Sequence, residues 1–223
     1  MFRRSVLVAV VALISSGCAS GSDQSVAESG SPGSETGAPH APVSDLVPVQ
    51  YDLNLPDWTP LPLEPAQNRM NAAKIELGRR LFYDVRLSSN QTKSCATCHK
   101  QELAFTDGLA VSPGVTGDFT PRNSMSLANV AYAPVLTWGN PLLHSLEQQA
   151  LVPLLGQEPI ELGMAGLDAE MTRRLEAEPI YRDLFPKAFP DMKGEISLAT
   201  VVRALSAFER TLISVSSPYD RYR

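Results

Sequence analysis

Cysteine and histidine are both scarce: the 223-residue chain holds three of each, Cys18, Cys95 and Cys98, and His40, His99 and His144. That excludes a disulfide-dense secreted scaffold and leaves few side chains for a His/Cys metal cluster. No apolar run reaches the roughly 18–20 residues that a membrane span requires. A basic run is missing too. With 19 Lys+Arg against 24 Asp+Glu the formal charge is −5, a poor balance for binding nucleic acid. Sustained apolar alternation is absent, which argues against a sheet, and no internal repeat is found. What is present, 43% hydrophobic residues, suffices for one domain with an ordinary core.

The N-terminus reads as an export leader. Arg3 and Arg4 supply a positive start, Val6–Ile14 an apolar core too short to span a bilayer, and Ser15-Ser16-Gly17 the small residues before a cut. Residues 1–17 are thus expected to be removed, leaving a net charge near −7. Cys18 then becomes the first residue and a candidate for lipid attachment. The alternative is an ordinary secreted protein cut near Ala19. Ala19, which is not an aspartate, points a lipoprotein to the periplasmic face of an outer membrane. Residues 18–50 are rich in Ser, Gly, Pro and Ala and read as a flexible tether in which His40 is a solvated side chain.

Ordered structure is expected over residues 51–223. Leu53–Pro65 is proline-rich and extended, with Trp58 packing onto the domain. Apolar periodicity predicts helices over Ala72–Tyr83, Ser145–Leu155, Ala169–Glu176, Tyr181–Ala188 and Ser197–Ile213. The last has Ser197 as N-cap and Val201, Leu205, Phe208 and Leu212 on one face. Asp107–Ser124, rich in Gly, Pro, Ser and Thr, reads as a long ordered loop of the kind that lines a site. The class is all-α.

One motif is sharp. In Cys95-Ala96-Thr97-Cys98-His99, two thiols one helical turn apart can each add across a haem vinyl group, and the next imidazole can reach the iron. A thioredoxin-like pair would want a βαβ setting, and a zinc site more ligands than the chain can readily supply. Haem c is attached outside the cytoplasm, in keeping with the leader. His99 is the proximal ligand. The sixth position decides function: a methionine favours electron transfer, an open site peroxide or oxygen chemistry. Met125, Met164 and His144 are the downstream candidates for it.

Four segments resemble a known family. Leu77–Gly108 (LGRRLFYDVRLSSNQTKSCATCHKQELAFTDG), Pro121–Tyr132 (PRNSMSLANVAY), Leu146–Met164 (LEQQALVPLLGQEPIELGM) and Ala207–Tyr222 (AFERTLISVSSPYDRY) are similar, in order, to the N-terminal haem domain of the bacterial di-haem cytochrome c peroxidase and MauG family. LTWGNPLL and LEQQALVPL are most similar to its MbnH-like branch, associated with methanobactin genes. The resemblance implies a cytochrome c-like helical domain wrapped around one covalent haem. It also implies use of hydrogen peroxide, either for its reduction or to oxidise a partner's tryptophan. The electron donor would be a reduced cytochrome or cupredoxin-like protein, and the oxidised partner a small exported protein.

By the same resemblance, Glu161 matches a distal glutamate that moves a proton between peroxide oxygens, and Gln149 a distal glutamine beside it. Trp138 matches a tryptophan that passes electrons or holes between two haems, with a buried core indole as the alternative. Asn123 matches a residue at an inter-domain calcium site. The loop Val111–Thr120 lacks the histidine that caps the haem in many of these peroxidases, so the resemblance implies an open iron. Family members continue past SPYDRY into a second haem domain, whereas this chain stops at Arg223. A fragment or truncated product is therefore expected, with a natural single-haem protein as the alternative. A lipid-anchored electron-transfer cytochrome and an inactive fragment are the rival functional readings.

Overall fold

The computed structural model describes residues 46–48 and 50–222. The leader, Cys18, His40 and most of the tether lie outside the described residues. Two short strands, β1 (Leu46–Pro48) and β2 (Leu63–Pro65), pair antiparallel with Val47 opposite Glu64. This ribbon corrects two expectations, since β1 falls in the segment read as tether and the chain was expected to have no sheet. Trp58 is half-covered, at 48% exposed. It lies in a turn of the proline-rich segment, where Thr59 N–H closes on the Pro56 carbonyl at 2.8 Å.

Among the described residues the remaining elements are helical, and the five helices that the periodicity predicts are among them, with two short ones besides. The helices are α1 (Ala72–Phe82), α2 (Cys95–Cys98), α3 (Leu146–Leu155), α4 (Asp168–Glu176), α5 (Pro179–Ala188), α6 (Leu198–Glu209) and α7 (Pro218–Tyr222). Caps set the starts. Asn71 accepts from Lys74 N–H at 2.8 Å to open α1, Pro179 opens α5 where its missing N–H is harmless, and Ser197 with Thr200 forms a capping box on α6. Helix α6 stops at Glu209, four residues short of the expected Ile213. Its end tightens into i→i−3 bonds, Thr211 N–H to Phe208 at 2.9 Å and Leu212 N–H to Glu209 at 3.0 Å, which terminate the helix. Among the described residues no helix is long and apolar enough to cross a membrane.

The core forms where α1 lies on α6, with α5 against α1 and α3 against α6. Leu77, Leu81 and Phe82 from α1 meet Val201, Leu205 and Phe208 from α6, and Phe82 and Phe208 pack edge to face at 5.3 Å. Beside this apolar contact runs a buried polar chain. Lys74 Nζ donates to Asn68 Oδ1 at 3.1 Å, Asn68 Nδ2 donates to Glu147 at 2.6 Å, and Arg210 closes on Glu147 at 2.8 Å. Arg210 is 3% exposed, so this pair joins α3 to the end of α6 without solvent screening.

Candidate functional site

Helix α2 is a single turn, and that turn builds the site. Ser94 N–H donates to Thr97 Oγ1 at 3.0 Å at its start, and His99 N–H returns to the Cys95 carbonyl at 2.9 Å at its end. Cys95 and Cys98 are free thiols that line one cavity together with His99. Burial pushes the Cys95 thiol up to about 12 and raises the Cys98 thiol as well. Reactive redox pairs have depressed thiol pKa values, so these two do not have the character of a thioredoxin-like couple.

The histidine is prepared as a neutral ligand. Its Nδ1 donates to the Phe105 carbonyl at 2.8 Å, which leaves Nε2 as the ligating nitrogen. Burial holds the imidazole below the ordinary histidine value, against the Phe105 and Met125 carbonyls and the charge of Asp107. The chain reaches this geometry through two consecutive residues in the left-handed region, Ala104 (φ 54°) and Phe105 (φ 62°). Non-glycine residues adopt that conformation at some cost, and here it aims the Phe105 carbonyl at His99.

The loop after it lines the site, as its composition suggests. Asp107 accepts from Ser112 Oγ at 2.6 Å and from Leu109 N–H at 3.0 Å, and Ser112 Oγ lies 2.9 Å from Ser124 Oγ. Burial alone would raise the Asp107 carboxyl, but these hydrogen bonds hold it below its usual value. So pinned, the loop presents Ser112, Pro113, Gly114 and Thr120 to the cavity.

Gln149 and Glu161 reach the same cavity from another part of the chain. Gln149 is on α3, one turn before Pro153, whose missing N–H cannot bond the Gln149 carbonyl. Beyond α3 the chain doubles back: Leu162 N–H donates to the Pro153 carbonyl at 3.0 Å and Met164 N–H to Leu154 at 2.8 Å. The Glu161 carbonyl accepts from Val115 N–H at 2.8 Å, and a Cβ on Gly114 would lie 1.9 Å from the Ile160 carbonyl. Only glycine permits that approach, and it holds the Glu161 segment against the pinned loop. Desolvation raises the Glu161 carboxyl above its usual value.

The cavity is walled by buried Leu127, Ala150, Leu154, Leu162 and Leu205, the mostly apolar lining with a few polar groups that cofactor pockets have. Its two sulfurs, neutral imidazole and apolar walls fit a covalently attached haem. An outer chamber shares His99, Thr120, Leu127, Gln149, Pro153 and Glu161 with it and adds Asn123, Met125 and Trp138.

A profile of the di-haem cytochrome c peroxidase family matches residues 72–223. The chain belongs to that family. It is similar to the methylamine utilization protein MauG of Methylorubrum extorquens, with 33% identity over 85% of this chain and 51% of the relative. To the cytochrome c551 peroxidase of Pseudomonas aeruginosa it is 32% identical over 74% of this chain and 47% of that protein. A solved MauG-like protein associated with microbial copper homeostasis superposes with a TM-score of 0.75 at 49% identity, over 77% of this chain and 49% of that one. The chain thus spans about half the length of these relatives. Membership of a di-haem peroxidase family carries the expectation of c-type haem, which the cavity fits.

The other sequence candidates divide cleanly. Trp138 is 55% exposed, which rules out the buried-indole alternative, and its Nε1 donates to the Asn123 carbonyl at 2.8 Å. Asn123 is itself exposed, and among the described residues no group of three or more His, Cys, Asp or Glu gathers to hold a metal ion. Met164 is a core residue at 2% exposure, and His144 faces a separate surface cavity with Arg210, so neither borders the haem cavity. Of the three candidates for the sixth position only Met125 borders the outer chamber. Glu209 was missed. It lines the inner cavity from α6, and the signal was available: it stands four residues after Leu205, a charge on the apolar stripe.

Proposed function

We propose that this chain is the peroxide-binding haem domain of a di-haem peroxidase or MauG-type protein. The observation that carries the reading is one cavity lined at once by Cys95, Cys98, His99, Gln149 and Glu161. A haem held by the two sulfurs and His99 supplies the redox chemistry of peroxide cleavage. The protein's share is proton movement and exclusion of water. Glu161 takes a proton from one peroxide oxygen and returns it to the departing one, and the Gln149 amide orients the peroxide beside it. The apolar wall keeps water from that transfer. Trp138, exposed at the rim of the outer chamber, passes electrons or holes outward. The oxidised species is a reduced cytochrome or cupredoxin-like donor, or a tryptophan of a small exported protein. The leader at residues 1–17 and Cys18 support a lipid-tethered protein of the periplasm, where haem c is attached.

Glu161 acts as a base only when ionised, and burial raises its pKa. The rate of the haem-loaded protein with hydrogen peroxide is therefore expected to rise with pH, along a limb lying above the ordinary glutamate value of about 4.3. Stopped-flow spectra across pH check this. A rate independent of pH from about 4 to 8 would overturn the assignment of the base.

A further inference from the structure

Glu209 is a buried carboxyl for which the peroxide reading has no use. It is 6% exposed, it lines the cavity of Cys95, Cys98 and His99, and its Oε2 has no hydrogen-bond partner. An orphaned polar atom in such a place is expensive unless something in the cavity compensates it or the group stays neutral. We propose that Glu209 is the redox-linked proton site of the haem, protonated when the bound haem is reduced and ionised when it is oxidised. On oxidation one electron leaves the iron for a one-electron acceptor such as an oxidised cytochrome or cupredoxin, and one proton leaves the Glu209 carboxyl for bulk water. Reduction reverses both. The inference rests on the haem reading given above.

The physical basis is a carboxyl poised between two states by its surroundings. Burial, with the charge of Glu147 added, pushes its pKa up to about 8 against the opposing attraction of Arg210. Arg210 is the next residue, Glu147 faces it from α3, and Lys93 and Glu161 are the other charged side chains lining the cavity. Arg210 is held by Glu147 at 2.8 Å through Nη2, whereas its buried Nη1, like Glu209 Oε2, has no hydrogen-bond partner, so Arg210 acts on Glu209 through charge alone. A macrocycle in the cavity removes remaining water and favours the neutral acid, whereas the extra positive charge of oxidised iron favours the carboxylate. Electron and proton affinities are then coupled, and the coupling is reciprocal.

The test is the midpoint potential of the haem-loaded protein against pH, read by spectroelectrochemistry. Reduction takes up a proton, so the wild-type potential falls as pH rises between the carboxyl's lower pKa beside oxidised haem and its higher pKa beside reduced haem. Glu209→Gln, permanently neutral, is expected to lose that slope and to stay near the low-pH plateau of the wild type, while Glu161→Gln keeps the slope. A flat wild-type curve, an unchanged slope in Glu209→Gln, or a slope lost in Glu161→Gln instead would each overturn the proposal. If Glu209→Gln does not load haem, the redox-triggered infrared difference spectrum of the wild type decides. A protonated-carboxyl C=O band must gain on reduction, and its absence overturns the assignment. Failure to find any covalent haem would instead refute the haem reading itself, a distinguishable result.

Discussion

Glu161→Gln in the haem-loaded protein is expected to slow the reaction of ferric haem with hydrogen peroxide by about 10²–10⁴-fold. At 1.36 kcal/mol per decade that is roughly 2.7–5.4 kcal/mol of lost transition-state stabilisation. The substitution keeps size and hydrogen-bonding capacity, so the cavity and the ferric spectrum should stay as they are. Only the ability to accept and return a proton goes. The effect should therefore appear in the single-turnover spectral change, before any question of which partner supplies electrons. It should also remove the rise of rate with pH. A variant that reacts at the wild-type rate would show that Glu161, although it lines the cavity, is not the base.

Gly78→Ala is expected to destabilise the domain strongly. A glycine inside a helix ordinarily gives up about 0.5–1 kcal/mol relative to alanine, so propensity alone would favour the change. In this fold a Cβ at position 78 would lie 1.9 Å from the Ala204 carbonyl oxygen and 2.9 Å from Phe208 Cβ. The first of these is backbone and cannot rotate away. Helices α1 and α6 would have to separate along the contact that organises the core, at about 3 kcal/mol or more, the upper end of overpacking. Against a total stability of roughly 5–15 kcal/mol that is a large fraction. Urea midpoints followed by helical circular dichroism measure it. A variant as stable as the wild type would mean that α1 and α6 do not lie against each other at Gly78.

The parts of the fold legible in the sequence are those set by local pattern. Helix α1 shows Leu77 and Leu81 on one face, and Ser197 announces the start of α6, because both periodicity and caps act within a few residues. The end of α6 is not legible, since Leu212 continues the apolar face while the N–H groups of Thr211 and Leu212 already take i→i−3 bonds. The β1–β2 ribbon was hidden because its pairing joins segments separated by a turn-rich stretch with no alternation. Within the site, Cys95, Cys98 and His99 were plain because covalent attachment demands a fixed local spacing. Gln149 and Glu161 needed the likeness to known peroxidases, since a fold-back through Leu162 and Met164 brings them together. The Phe105 carbonyl that orients His99 could not have been read at all, because it is backbone and depends on two left-handed residues in succession. Trp138 shows the limit of composition: tryptophan is usually packed, yet here it stands at the rim.

The Cys95–His99 segment carries the whole functional reading, and covalent haem is its most direct consequence. The decisive measurement is a pyridine haemochrome spectrum of the purified chain after denaturation and acid–acetone extraction, alongside the Cys95→Ala/Cys98→Ala double variant. Haem retained by the wild-type polypeptide with the spectrum of two thioether links, and lost from the double variant, is the predicted result. Haem extracted completely from the wild type, or retained equally by the double variant, would contradict it.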